Sequence, residues 1–119
     1  MRQFYFLSAL FTVDKAGCLS QVTVMPDPGL RELLVALAKR ADVRDVLVEA
    51  GSGLSSAFIT EGLVDKLVVY QAPVLLGASA KPCFTTKLEQ LSEAVQLGAP
   101  KVQVLGDDLK LCYQLGSLS

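Results

Sequence analysis

Short apolar runs rich in β-branched residues alternate with helical segments over the first two thirds of the chain. The runs are too short to be helices, so they predict three strands, at residues 22–25, 45–49 and 66–70. The middle run is continuously apolar at its centre, which indicates a strand covered on both faces. Strands that alternate with helices in this order predict a parallel βαβαβ arrangement with right-handed crossovers.

Two helices are predicted between these strands. The first follows Asp27, a favourable N-cap, and Pro28, which suits the first helical position, and it ends near Arg40. Its apolar face is formed by leucines at helical spacing: Leu30, Leu33, Leu34 and Leu37. The second helix covers residues 54–61, and Gly62 is expected to stop it.

The last third of the chain has a different pattern. Residues 73–82 predict a loop with a buried apolar patch at 74–76. Apolar and polar residues alternate after Pro100 and again over 109–115, on either side of a turn at 106–108, which predicts a hairpin with one solvent-exposed face. The expected fold is therefore α/β with a mixed sheet, a parallel βαβαβ part followed by a C-terminal antiparallel hairpin.

The composition narrows the chemistry that the chain can perform. The 119 residues include no histidine, which excludes Ser-His-Asp and Cys-His nucleophile pairs and histidine-ligated zinc within this chain. An apolar content of 51% is enough to bury a core, so we expect one domain over residues 1–119. A net charge of −1 offers no general attraction for nucleic acid. No metal site is expected.

The cysteines indicate the cellular compartment. The 3 cysteines are far apart in sequence, which favours reduced, mostly buried thiols in a reducing, cytoplasmic compartment.

The apolar run at 4–13 resembles a signal peptide in part, but Asp14 and Lys15 interrupt it before the small residues at 16–18. The run is also too short to span a bilayer. We interpret it as a strand or helix of the fold, and expect no membrane partner.

A glycine-rich turn within residues 48–57 is the candidate site. A turn from a strand into a helix leaves unpaired N–H groups at the positive end of the helix dipole, which suits a phosphate. Gly51 and Gly53 would allow close approach of a ligand, and three serines add hydroxyl donors: Ser52, Ser55 and Ser56. The pattern is neither a P-loop nor a full dinucleotide fingerprint, so a plain capped helix remains the alternative.

Other polar residues are weaker candidates. Glu49 would repel a phosphate, so it either faces the reacting part of a ligand or is an exposed acid that stabilises the helix dipole. Asp107 and Asp108 are adjacent and are interpreted as turn residues rather than as a catalytic pair. Isolated residues are assigned to solvation or packing: Lys66, Tyr70 and Lys81.

Four short motifs occur in a characteristic order and spacing. They are Val-Glu-Ala-Gly at 48–51, Gly-Leu-Val-Asp at 62–65, Ala-Pro-Val-Leu-Leu-Gly at 72–77 and Leu-Gly-Asp-Asp at 105–108. Together they resemble the reductase domain of bacterial bifunctional riboflavin biosynthesis proteins, from about residue 22 to 115 and only loosely over 1–21. The resemblance implies a dihydrofolate reductase-like fold and the NADPH-dependent reduction of 5-amino-6-(5-phosphoribosylamino)uracil to its ribitylamino form, with hydride passing to the anomeric carbon.

The resemblance also implies roles for particular residues. Glu49 would contact the phosphoribosylaminopyrimidine substrate, while no catalytic residue is identified. The NADPH phosphates would be held by the turn and the start of the helix: Gly51, Ser52, Gly53, Leu54, Ser55, Ser56 and Ala57. The family usually has two adjacent glycines after the glutamate, whereas this chain has Ala50 in the first of these positions. A methyl group there would narrow the approach of a ligand to the backbone.

The family comparison further suggests an incomplete reductase. The chain resembles the C-terminal portion of that domain, without the upstream strands and the preceding deaminase domain. An incomplete sheet exposes an unpaired edge, so we expect self-association into a homo-oligomer. Two alternatives remain open: a non-catalytic or partner-dependent fragment, and another pterin or pyrimidine reductase of the same fold.

Overall fold

The computed structural model describes the backbone of residues 2–6, 9–13 and 19–24 and all atoms of residues 29–116. The N-terminal ranges form an antiparallel sheet of three strands, Arg2–Phe6 (β1), Ala9–Val13 (β2) and Leu19–Val24 (β3), in the order β1-β2-β3. The interpretation of the N-terminal apolar run as part of the fold is thereby confirmed. Asp14, Lys15 and Cys18 lie outside the described residues, as does Met25 of the predicted first strand.

The first helix, α1, spans Leu30–Ala38, with Gly29 as its N-cap and Lys39 as its C-cap. It begins two residues later than predicted; Asp27 and Pro28 lie outside the described residues. Leu37 is 3% exposed and forms the centre of a small apolar cluster. Its partners come from α1 itself and from the segment that follows: Leu33, Leu34, Val43, Val46 and Val48. The predicted apolar face of the helix is therefore confirmed.

The predicted strand at 45–49 is wrong, and with it the parallel βαβαβ part of the sheet. These residues form no strand and pair with none of the described strands, and every ladder within the described residues is antiparallel. Val46 and Val48 pack against α1, whereas Leu47 between them is exposed. Within the described residues, α1 covers one face of the segment, and no neighbouring strand supplies the hydrogen bonds that a parallel pair requires.

The second helix, α2, spans Ser52–Thr60 with Glu61 as its C-cap, so it begins two residues and ends one residue earlier than predicted. Gly62 adopts a φ of +65°, and the N–H groups of Gly62 and Leu63 bond to the carbonyls of Ile59 and Phe58. A left-handed residue just after a helix is the position that favours glycine. Phe58 is 2% exposed. Of the helices within the described residues, none has the length and apolarity that crossing a bilayer requires.

The second sheet contains Lys66–Gln71 (β4), Lys101–Leu105 (β5) and Asp108–Gln114 (β6), in the order β4-β6-β5. The predicted third strand and C-terminal hairpin are confirmed, with Leu105 paired to Asp108 across the turn. Gly106 has a φ of +62° and Asp107 a negative one, typical of a hairpin turn with glycine first. The turn interpretation is thus confirmed for Asp107, whereas Asp108 is the first residue of β6.

The register divides the side chains of this sheet between two faces. One face, called here the lysine face, is polar: Lys66, Val68, Tyr70, Lys101, Gln103, Lys110, Cys112 and Gln114. The other, called the apolar face, is formed mainly by aliphatic residues: Leu67, Val69, Val102, Val104, Leu109, Leu111 and Tyr113. The apolar face is not fully covered by the described residues, since Val104 is 70% exposed.

Residues 72–100 connect β4 to β5 with a single turn of 3₁₀ helix, Leu91–Glu93. The prediction of a loop is confirmed, but the prediction that its apolar patch is buried is wrong: Leu75 is fully exposed, and Val74 and Leu76 are mostly so. Nothing among the described residues packs over this patch.

The two described cysteines differ in exposure. Cys83 is exposed, which contradicts the expectation of mostly buried thiols, and Cys112 is half-buried.

Candidate functional site

The glycine turn leads from the segment at 45–49 into α2. Gly51 is the N-cap, with φ −65° and ψ 169°, and no side chain caps the first turn of the helix. The N–H of Ser55 bonds to the Gly51 carbonyl at 3.1 Å, so the helix proper starts here, and the three N–H groups before it have no acceptor within the helix. No acidic residue occupies this first turn. The positive end of α2 is therefore available to an anion.

The two glycines keep this turn open. A Cβ added at Gly51 or at Gly53 would meet no described atom within 4 Å, and neither residue has a positive φ. Neither backbone conformation nor packing against the described residues therefore requires glycine at these positions. In the helix, Gly53 even costs about 0.5–1 kcal/mol relative to alanine. A ligand that approaches the backbone closely would account for both glycines.

The three serines of the turn have different surroundings. The Ser55 hydroxyl donates to the Ala50 carbonyl at 3.2 Å, so its proton is already used. Ser56 is 7% exposed and accepts a 2.7 Å hydrogen bond from the N–H of Thr85, which ties the 72–100 segment to α2. Only Ser52, which makes no side-chain hydrogen bond to a described residue, leaves its hydroxyl available at the helix start.

The remaining predicted residues lie beside this turn. Leu54 and Ala57 are half-buried, so a ligand would contact them through the backbone or at the edge of the side chain. Glu49 is exposed and has no partner among the described residues. It stands two residues before the N-cap, where a carboxylate interacts favourably with the helix dipole. Both interpretations of Glu49 therefore stay predictions.

Elsewhere in the described chain the ionisable groups are dispersed. No group of three or more cysteine, aspartate and glutamate side chains is placed to hold a metal ion within residues 29–116. Arg40 and Asp42 form an ion pair at 2.8 Å, and the hydrogen bond from Arg40 lowers the pKa of the Asp42 carboxyl below its usual value. This pair follows α1 and does not involve the glycine turn.

The lysine face was missed from the sequence. Lys66, Lys101 and Lys110 line one open pocket, although they lie up to 44 residues apart along the chain. Lys110 is further placed by Tyr70, whose ring centroid is 5.8 Å from the Lys110 Nζ. The pairing of the strands brings the three lysines to one face of the sheet, because Lys66 is opposite Gln114 and Lys101 is opposite Cys112. In the sequence, the alternation of polar and apolar residues in the hairpin is the one signal that could have indicated a polar face.

Comparison with known proteins identifies the family. The family model described as the RibD C-terminal domain matches residues 13–111, slightly earlier at its start than the similarity expected from the motifs. The riboflavin biosynthesis protein RibD of Haemophilus influenzae is 40% identical over 85 residues, which are 71% of this chain and 23% of that protein. The Escherichia coli RibD is 39% identical over 80 residues, 66% of this chain and 22% of that protein.

A shorter relative and a solved structure agree with this assignment. A Buchnera aphidicola protein named 5-amino-6-(5-phosphoribosylamino)uracil reductase is 32% identical over 66% of this chain and 38% of its own length. The structure of Acinetobacter baumannii RibD (form 2) superposes with a TM-score of 0.71 at 38% identity, covering 75% of this chain and 25% of that one. The chain thus spans about a quarter of the RibD proteins that it matches. It belongs to the RibD C-terminal domain family.

Proposed function

We propose that this chain supplies the cofactor-phosphate turn for the NADPH-dependent reduction of 5-amino-6-(5-phosphoribosylamino)uracil to the ribitylamino form in riboflavin biosynthesis. The single observation that carries the proposal is the uncapped start of α2, opened by two glycines that no described contact requires. Membership of a family that includes a protein named for this reduction supports it. The dihydrofolate reductase-like architecture of the whole domain and a cytoplasmic location are parts of the same proposal.

The residues of the turn would have different roles in binding the cofactor. The N–H groups of Ser52, Gly53 and Leu54 and the free hydroxyl of Ser52 would donate to the cofactor phosphates. Ser55 and Ser56 would act indirectly, because their hydroxyls hold the turn and the following loop in place. NADPH, when bound, supplies the hydride for the reduction. With the cofactor performing this step, the absence of histidine is no obstacle to the proposed activity.

Glu49 would bind the substrate rather than the cofactor. Its carboxylate is exposed beside the turn and can only accept hydrogen bonds, so it suits the hydroxyl or N–H groups of the substrate. The negative charge of Glu49 would weaken phosphate binding if it lay next to the phosphates. We therefore expect the carboxylate to face the uncharged part of the ligand. We expect Glu49→Gln to raise KM for the substrate while leaving the NADPH affinity within about twofold.

NADPH binding is the direct test. Titration of the purified chain should change the fluorescence of NADPH and raise the melting temperature, because a ligand at 100 times its Kd adds about 2.7 kcal/mol to the free energy of unfolding. Sodium chloride at equal ionic strength serves as the control for a general salt effect. If NADPH changes neither signal, the chain contains no working cofactor site.

Exposed apolar surface favours a second candidate, a partner-dependent fragment that has the fold but no turnover by itself. Among the described side chains only Leu37 and Phe58 are buried apolar residues, whereas Leu75 is exposed, as are Val102 and Val104 on the apolar face. Such surface is typical of an interface. A second copy of the chain is one candidate partner, as expected for a homo-oligomer, and the N-terminal part of a reductase domain is the other.

Complementation distinguishes the two candidates. The chain would be mixed with the upstream part of the reductase domain from the Haemophilus influenzae RibD, and substrate-dependent NADPH oxidation would be followed. Activity that appears only in the mixture supports the partner-dependent fragment, whereas activity of the chain alone supports a complete reductase module. Light scattering tests the homo-oligomer separately, and a monomer at working concentration contradicts it. Competition by folate analogues would instead favour another reductase of the same architecture.

A further inference from the structure

The lysine face carries an open pocket with three positive charges. The pocket is a half-open depression with a volume of about 680 Å³. Lys66 of β4, Lys101 of β5 and Lys110 of β6 line it, together with Gln103, Gln114 and the segment at 97–99. No carboxylate is among the described residues that line the pocket. It shares no residue with the glycine turn.

The strand register determines the spacing of the charges. Lys101 pairs with Cys112, so Lys110 is its diagonal neighbour on the adjacent strand, roughly 7–8 Å away. Lys66 pairs with Gln114 two strands from Lys101, at roughly 12 Å by sheet geometry. At this spacing the flexible side chains of Lys101 and Lys110 can both reach one phosphate group, and Lys66 can reach a second group on the same ligand.

The electrostatics of the pocket are not balanced within the described chain. Lys66, Lys101 and Lys110 form no ion pair with any described residue. The ammonium group of Lys110 does contact the ring of Tyr70, which carries no compensating charge. Like charges on neighbouring strands repel one another. An anion in the pocket would relieve that repulsion and receive several charge-assisted hydrogen bonds.

We propose that this pocket binds a small molecule that carries a phosphate or diphosphate group. The anion lies between Lys101 and Lys110, and the amides of Gln103 and Gln114 contact the uncharged part of the ligand, since an amide both donates and accepts hydrogen bonds. The concave shape and the net charge of −1 on the whole chain favour a small ligand over nucleic acid, which needs an extended basic surface.

Calorimetric titration with pyrophosphate at fixed ionic strength tests the proposal. The double variant Lys101→Gln/Lys110→Gln should raise the Kd at least tenfold, because both of its charge-assisted contacts are lost. Lys101→Arg/Lys110→Arg, which keeps the charge, should stay within about threefold of the original chain. The matched control is Lys87→Gln, an exposed lysine outside the pocket, which should change the Kd less than about twofold. Circular dichroism verifies that each variant is folded.

The same titration separates the lysine pocket from the glycine turn. Pyrophosphate can also bind at the glycine turn under the function proposed above, so only the binding that the lysine substitutions remove is assigned to the pocket. Gly53→Asp should leave that lysine-dependent binding unchanged, because Gly53 does not line the pocket. The proposal is overturned if the original chain binds no pyrophosphate at concentrations of about 1 mM. It is also overturned if the two glutamine substitutions have no greater effect than Lys87→Gln, or if Gly53→Asp abolishes binding while the lysine variants retain it.

Discussion

Replacing Gly53 with aspartate places a carboxylate at the second position of α2, within the turn that we propose to hold the cofactor phosphates. The substitution fits sterically, because a Cβ at Gly53 meets nothing within 4 Å and the residue has no positive φ. Aspartate is a better helix former than glycine and interacts favourably with the N-terminal dipole. The free energy of unfolding should rise by about 0.5–1 kcal/mol.

The same carboxylate should oppose binding of NADPH. It occupies the position at which the free N–H groups would meet a phosphate, and one added charge about 4 Å from a phosphate charge costs about 1–4 kcal/mol, depending on the effective dielectric constant. The Kd for NADPH should therefore rise at least fivefold, and by less at high salt because the repulsion is screened. A gain in stability is thus coupled to a loss of affinity.

Two measurements check this coupling. Thermal unfolding followed by circular dichroism should show a melting temperature higher by about 2–6 °C, and fluorescence titration gives the Kd for NADPH. Ala78→Asp, an exposed substitution with the same added charge in the 72–100 segment, is the matched control and should change neither value appreciably. Unchanged NADPH affinity in Gly53→Asp would refute the assignment of the phosphate site, and a lower melting temperature would refute the reasoning about the helix.

Three further predictions concern the packing and charges around the site. Leu37→Ala should lower the free energy of unfolding by about 2–5 kcal/mol in urea denaturation, because Leu37 is the buried centre of its cluster, and a loss below about 1 kcal/mol would contradict that role. Ser56→Ala should cost about 1 kcal/mol and increase hydrogen exchange at the Thr85 amide, whereas unchanged exchange would mean that the bond is not formed in solution. Asp42 should titrate by NMR with a pKa below the ordinary aspartate value, since the hydrogen bond from Arg40 stabilises the charged form. Its contribution to stability is present above the pKa of the unfolded chain and is lost as the pH falls through the lower folded pKa. An ordinary aspartate pKa for Asp42 would show that the ion pair does not act on this group.

Features decided by neighbours in sequence were predicted well. The hairpin turn at Gly106 follows from a glycine between two alternating strands, and the end of α2 at Gly62 follows from the preference of glycine for a positive φ. The turn at Gly51 was located because glycine and serine before a helical segment are a local signal. The four motifs together identified the family, which no single pattern could do.

Features that depend on distant contacts were not predicted. The segment at 45–49 has the composition of a buried strand, but a strand exists only where a neighbour offers matching hydrogen bonds, and here α1 covers one side alone. The patch at Leu75 is apolar without being buried for a similar reason: apolar composition shows that burial would be favourable, not that a covering surface is present.

For the sites, the amino-acid sequence by itself determined the glycine turn, the missing histidine and the family, because each is a property of residue order or of composition. Only the tertiary structure decided which hydroxyls remain available, since Thr85 approaches Ser56 across 29 residues of chain. It alone also placed Lys66 on the same face of the sheet as Lys101 and Lys110. Strand register brings together residues that have no sequence relationship, and a shift of one residue would send each side chain to the opposite face.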